Sequence, residues 1–535
     1  MTRFAMSEAI IRNPILPGFN PDPSVCRHGD DYYIATSTFE WYPGVQIHHS
    51  RDLVHWRLLT RPLDRLSLLS MEGNPNSGGI WAPCLSRANG LFWLIYTDVK
   101  TFGHGFFDTH NYLTTAPTIT GPWSEPVHLN SSGFDPSLFH DEDGRAWLVN
   151  MRTDYRPGRN VFNGIVLQEY DHAAGRLVGP IRRIFTGSGL GCTEGPHLYR
   201  RSGWYYLMTA EGGTGYDHAV TMARAQDIGG PYEVDPANPI LTSRNAPELE
   251  LQKAGHASLV ETPGGWYMVH LCGRPLAVNG QRRCMLGRET AIQKVEWTVD
   301  GWLRLVGGGR SPQVEVSAPG LLAHPFPAEP IRDEFTAPTL ARQWQHPRQP
   351  VDTSWCSLIA RPGWLRLVGR ESPQSRHRQS LVARRIQHFS IRAQTRVDMA
   401  SGDFQHLAGL MALYDSGTWY YLRLSYDEAR NGLVLGIVAS DESAIEMPAD
   451  SEVILDRTGP VHLRLETDRA NLTFSWSWDA DTWHRIGPVF DASRLSDEGG
   501  MDWRRFTGSF VGLACHDMSG QRRYADFDYF DYEGR

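Results

Sequence analysis

Hydrophobic and polar positions along the chain follow the two-residue period of strands and show almost no helical period. In the first 320 residues a short turn followed by an aromatic-rich apolar run recurs five times. The copies are Asp30-Asp31-Tyr32-Tyr33-Ile34, Asn89-Gly90-Leu91-Phe92-Trp93-Leu94, Asp143-Gly144-Arg145-Ala146-Trp147-Leu148, Ser202-Gly203-Trp204-Tyr205-Tyr206-Leu207 and Gly264-Gly265-Trp266-Tyr267-Met268-Val269. Gly or Asp at a tight turn between such residues predicts a hairpin. Each run follows a second matching strand: Asp22-Pro23-Ser24-Val25, Ala82-Pro83-Cys84-Leu85, Asp135-Pro136-Ser137-Leu138, Glu194-Gly195-Pro196-His197-Leu198 and His256-Ala257-Ser258-Leu259. The period of roughly 53 to 62 residues suits one four-stranded propeller blade with long loops. The repeat therefore predicts an all-β chain that opens with a five-bladed β-propeller, residues 1–318.

After Pro319 the pattern changes. Residues 319–330, with Pro325-Phe326-Pro327-Ala328-Glu329-Pro330, read as a linker. Residues 331–535 alternate apolar and polar positions between frequent turns, as in Trp364-Leu365-Arg366-Leu367-Val368 and Tyr420-Tyr421-Leu422-Arg423-Leu424. That stretch predicts a β-sandwich.

Composition narrows the function. The net charge of -8 gives no electrostatic reason to expect nucleic acid. No run of about 18 apolar residues predicts a membrane span. The stretch Met1 to Phe19 lacks the basic start and apolar core of a secretory leader. Seven cysteines, odd in number and without a Cys-x-x-Cys pair, predict reduced thiols in a cytoplasmic protein and no zinc site. Eighteen Trp and twenty Tyr supply flat rings with a polar edge, suited to stacking on sugar faces and to filling strands.

Equivalent positions in a propeller lie at one height around the axis. The starts of the five matching strands, Asp22, Trp81-Ala82, Asp135, Glu194 and His256, are therefore expected to ring one mouth. Glycosidic bonds are hydrolysed by paired carboxylic groups, and a third carboxylate can tune and orient the acid. Asp22, Asp135 and Glu194 suit these three roles, with spacing leaving open which is which. His48-His49, and His104 near His110, lack metal-ligand spacing and are assigned to surface or loop positions. Gly187-Ser188-Gly189-Leu190-Gly191 is read as a loop beside the Glu194 strand, without a dinucleotide fingerprint.

At these residues the chain resembles glycoside hydrolase family 43, in particular its two-domain β-xylosidases. The resemblance rests on Phe19-Asn20-Pro21-Asp22-Pro23-Ser24, Gly79-Ile80-Trp81-Ala82-Pro83, Gly133-Phe134-Asp135-Pro136-Ser137 and Thr193-Glu194-Gly195-Pro196. It extends through Thr38-Phe39-Glu40-Trp41, Leu286-Gly287-Arg288-Glu289-Thr290, Asp333-Glu334-Phe335 and Gly508-Ser509-Phe510-Val511-Gly512. The resemblance implies Asp22 as general base, Glu194 as general acid and Asp135 as the carboxylate that tunes the acid. It implies Arg288 as a substrate-binding residue and Phe39 and Trp81 as pocket walls. His256 would lie beneath the pocket, where some relatives hold a structural calcium, and Phe506 would reach over from the second domain, which the resemblance implies is a sandwich of jelly-roll, concanavalin-like type. No other cofactor or metal is expected. Cys84 departs from the pattern, standing where many relatives carry an acidic residue. The implied activity is exo-acting hydrolysis of β-1,4-xylo-oligosaccharides to xylose with inversion, by a dimer or tetramer. An α-L-arabinofuranosidase or dual-activity enzyme is the alternative, and a non-catalytic sugar-binding propeller is the further one.

Overall fold

The computed structural model describes residues 9–535. The expectations for the chain's start fall in part on residues 1–8, outside the described residues, as does the side chain of His104. Five antiparallel sheets form the blades of a propeller. Blade 1 is built from Ser24–His28, Asp31–Thr36, Gln46–Ser50 and Arg57–Thr60, in that order. Blade 2 runs from Gly79–Ala88 to Val127–Asn130 and blade 3 from Ser137–His140 to Arg176–Phe185. Blade 4 starts at Glu194–Arg201, and blade 5 at Gln252–Thr262. In every blade the first two strands are the predicted matching strand and aromatic run. The second strands are sealed on both faces by neighbouring blades, which is why Trp204–Glu211 is buried at all but its first residue. Ile10–Arg12 pairs with Glu315–Ser317 and clasps the two ends of the propeller together.

Residues 319–330 carry no helix or strand. Beyond them lie two packed sheets of eight and seven strands. In the first, Ser390–Asp398 alternates buried and half-buried positions strictly, as a strand with one covered face must. In the second, Ser380–Arg385 and Phe510–Asp517 are buried throughout, because that sheet lies between its partner and the propeller.

The contact between the units is a continuous core. Trp41 stacks on Phe510 with ring centroids 3.7 Å apart and planes 12° from parallel. Trp41–Tyr42 also pairs with His346–Pro347, a two-stranded sheet across the boundary that the pattern of residues 319–330 did not foretell. The surface placement of His48 and His49 is corrected: both are buried within Gln46–Ser50, and His49 Nε2 lies 2.8 Å from Asp31 Oδ1.

Removing the ring at this contact leaves a cavity that neither unit can collapse into. Trp41→Ala is expected to lower stability by about 3–5 kcal/mol, read as a fall in the urea midpoint. An unchanged midpoint would mean the stack contributes nothing to holding the units together.

Candidate active site

The five inner strands enter through one backbone bend. Asp22, Ala82, Asp135, Gly195 and His256 have φ of 54°, 29°, 55°, 54° and 44°. Left-handed residues other than glycine are strained and gather at functional sites. In blades 2, 4 and 5 the bend coincides with a register shift, between Trp81 and Cys84, Glu194 and His197, and Gly255 and Ala257. Such bulges re-aim side chains. The predicted register needs one correction. Gly195, not Glu194, is level with the two aspartates; Glu194 is level with Trp81 and Phe134. A Cβ at Gly195 would come within 3.0 Å of the His256 ring, so the acid can only be carried one residue earlier.

All eight predicted site residues line one cavity of about 460 Å³: Asp22, Phe39, Trp81, Asp135, Glu194, His256, Arg288 and Phe506. Asp22 Oδ2 accepts a 2.6 Å hydrogen bond from the Ser37 hydroxyl, and Arg288 Nη1 lies 3.3 Å from Asp22 Oδ1. Asp135 Oδ2 accepts from the Gly195 amide at 3.0 Å. His256 Nδ1 stands 4.0 Å from both Asp22 and Asp135.

This arrangement separates the three carboxyls electrostatically. Burial pushes Asp22 up, but Arg288, His256 and the Ser37 hydroxyl outweigh it and hold the group below its ordinary value. Burial, and then the charge of Asp22, push Asp135 up to about 8 against the Gly195 amide. Burial, then Asp135 and Asp22, hold Glu194 well above the usual carboxylic range. Near neutral pH the site therefore presents an ionised Asp22 and a protonated Glu194.

Rings close one side. Trp81 lies 5.9 Å from Phe39, 5.8 Å from Phe506, 5.1 Å from Phe102 and 5.3 Å from Phe134, centroid to centroid. Phe506 is held from both units. Its amide donates to Ser77 Oγ at 3.0 Å, and its carbonyl accepts from Arg288 Nη2 at 2.8 Å. The next amide, Thr507, donates to Tyr414 OH, which in turn donates to Asp497 Oδ1 at 2.8 Å. Asp497 and Glu498 face the buried Lys253 of blade 5, whose Nζ lies 3.3 and 2.6 Å from them.

Several lining residues were not foreseen: Phe102, Phe134, Thr214, His218 and Trp503. Phe134 could have been found, since it precedes Asp135 as Trp81 precedes Ala82. Thr214 Oγ1, 2.7 Å from Arg288 Nη1, sits in a Gly-Gly-Thr-Gly loop whose only sequence signal is its glycines.

An ionised carboxylate and a protonated one, facing a wall of rings, are the equipment of a glycoside hydrolase. The comparisons agree, and the chain belongs to glycosyl hydrolase family 43. The pattern of that family matches residues 11–303, and that of the beta xylosidase C-terminal Concanavalin A-like domain matches residues 332–533. The chain is 51% identical to Xylosidase/arabinosidase 43B of Humicola insolens, over 98% of this chain and 97% of that protein. It is 48% identical to a beta-xylosidase of Bacillus subtilis, over 98% and 99%. The crystal structure of xylan beta-1,4-xylosidase from Bacillus halodurans C-125 superposes with a TM-score of 0.96 at 55% identity, covering 98% of this chain and all 100% of that one.

The charge on Asp135 raises Glu194, so Asp135→Asn is expected to lower the Glu194 pKa while retaining an acceptor for the Gly195 amide. Carbon-13 NMR of the labelled carboxyl would follow it; a Glu194 titration that stays in place would refute the coupling.

Proposed function

We propose that the protein is an exo-acting, inverting β-xylosidase that removes single xylose units from β-1,4-xylo-oligosaccharides. The observation that carries this reading is the opposite displacement of two carboxyls in one pocket: Asp22 held down, Glu194 held up. In the proposed step Asp22 takes a proton from water as the water oxygen bonds to the sugar's anomeric carbon. Glu194 gives its proton to the departing glycosidic oxygen as the old bond breaks. One displacement inverts the centre, which needs room for a water and thus carboxyls about 6.5–9.5 Å apart. Burial, then Asp135 and Asp22, raise Glu194, and Asp135 accepts a hydrogen bond from the amide after Glu194, which holds the acid's backbone. Arg288, bound to Asp22, Thr214 and the Phe506 carbonyl, ties the base to the closing loop.

Phe506 and its neighbours narrow the mouth, which supports exo-action on a terminal sugar. A calcium at His256 would find one imidazole nitrogen, with the carboxyls of Asp22 and Asp135 each 4.0 Å from His256 Nδ1; the proposed step does not pass through it. The unpaired cysteines support a reducing, cytoplasmic setting, and a dimer or tetramer remains the proposed assembly. The name of the Humicola relative supports α-L-arabinofuranosidase as a second activity of the same pocket.

Proton NMR of fresh xylobiose hydrolysate is expected to show α-xylose before the β-anomer; β-xylose first would make one carboxylate a nucleophile. Glu194→Gln is expected to lower kcat on xylobiose by roughly 10²–10⁴-fold while the protein still folds. Parent-like turnover would remove Glu194 from the acid's role.

Lys253→Met frees the loop that carries Phe506. KM for xylobiose is expected to rise on the order of tenfold with a smaller change in kcat, and Lys253→Arg is expected to recover part of it. An equal fall in kcat for both variants with KM constant would contradict this anchoring.

A further inference from the structure

A second cavity, of about 660 Å³, lies between the propeller and the sandwich, apart from the catalytic residues. Arg57, Arg61, Arg384 and Arg385 line it, and Glu329 is the only carboxylate among the described lining residues. Two of these arginines, Arg61 and Arg385, donate to neutral acceptors. Arg61 donates to Gln46 Oε1 at 2.6 and 3.1 Å and to the carbonyls of Arg342 and Trp344. Arg385 donates to the Phe19 carbonyl at 2.5 Å, to the same Gln46 Oε1 at 2.8 Å, and to Gln345 Oε1.

Two guanidinium groups thus converge on one amide oxygen. Arg385 Nη2 is buried without a hydrogen-bond partner among the described residues, and so is Arg384 Nε. Glu329 lies 3.2 Å from Arg384, with its side chain half exposed. Like charges brought together out of water are costly unless a counter-charge joins them. Their field is visible at buried His48 on the cavity wall, pushed down to about 3 by burial and then by Arg385 and Arg61.

We propose that this cavity binds a small oxyanion of the phosphate or sulfate class, held by Arg61, Arg384 and Arg385. Planar guanidinium donors match the oxygens of such an anion. The volume exceeds what one anion fills, so water completes the site. Occupancy bears on the catalytic side through Gln46, whose Nε2 donates to Asn20 Oδ1 at 2.7 Å, two residues before Asp22. The anion therefore steadies both the domain contact and the segment that carries Asp22.

The test is a thermal-unfolding titration of the full chain with inorganic phosphate. Chloride would be exchanged to keep ionic strength constant, so that general screening cancels. Saturating xylose would keep phosphate from Arg288. A saturable rise in Tm is expected, with Arg61→Gln weakening the fitted Kd by about tenfold or more. Glu329→Gln, at an exposed position, removes the competing carboxylate and is expected to tighten binding. If Arg61→Gln fails to fold, Glu329→Gln decides alone. No saturable rise in the parent, or a Kd unmoved by Glu329→Gln, would overturn the proposal.

Discussion

Asp22, Ala82, Asp135, Gly195 and His256 share a left-handed backbone, and the active site depends on that repeated bend. A strand entering a blade in extended form would turn its first side chains onto the faces of the sheet, into packing with the next blade. The bend aims them toward the axis before the strand runs outward. Four of these residues carry a Cβ, so the conformation costs roughly 1–2 kcal/mol at each. The ring of blades, clasped by Ile10–Arg12 against Glu315–Ser317, gives the strands no freedom to relax it. Blade 4 departs from the pattern by using glycine at the bend and carrying its acid one residue before it. That places Glu194 level with the aromatic Trp81 and Phe134, and apart in height from the two aspartates.

The difference in position has an electrostatic consequence. Three buried carboxyls cannot all ionise, and Arg288 decides which one does. Its guanidinium meets Asp22 directly, so the negative charge settles there. Once Asp22 is charged, Asp135 and Glu194 are pushed toward the protonated state, and they titrate as an interacting set. Ser37 strengthens the bias: it donates to Asp22 while accepting from the Ala82 amide, which fixes the hydroxyl's direction. Base and acid are thereby distinguished by neighbours in blades 1, 2 and 5, not by any property of an aspartate or a glutamate.

Much of this was legible in the sequence, because the repeat marks the same bend in each blade with a following proline or alanine and, in all but the fourth, then a small residue. Asp22, Asp135 and His256 can be read at the correct height from that alone. The offset of Glu194 was legible by the same rule, since Gly195 and not Glu194 precedes Pro196, but aligning the carboxylates hid it. His48 and His49 were misread because the groups that cover them lie far off in sequence: Arg385 of the sandwich lines the same cavity as His48, and Phe326 of the connecting segment packs on His49. The same holds for Lys253 and Asp497, 244 residues apart: each looks like an ordinary surface charge until the fold buries them against one another. Phe506 was found only by resemblance, its own loop having no strand period to place it.

The sandwich is therefore better understood as one wall of the catalytic pocket than as an appended module. Its inner sheet contributes Phe510 to the stack on Trp41, and its loops contribute Tyr414, Asp497 and Phe506. The propeller answers with Ser77, Lys253 and Arg288. Arg288 serves both sides, holding the ionised Asp22 and the Phe506 carbonyl through one guanidinium. A shift of the sandwich that withdrew Phe506 would open the mouth and also remove an acceptor from the arginine that keeps Asp22 ionised. Pocket shape and the charge of the base are coupled through that side chain, so the domain contact contributes to the chemistry as well as to selecting a chain end.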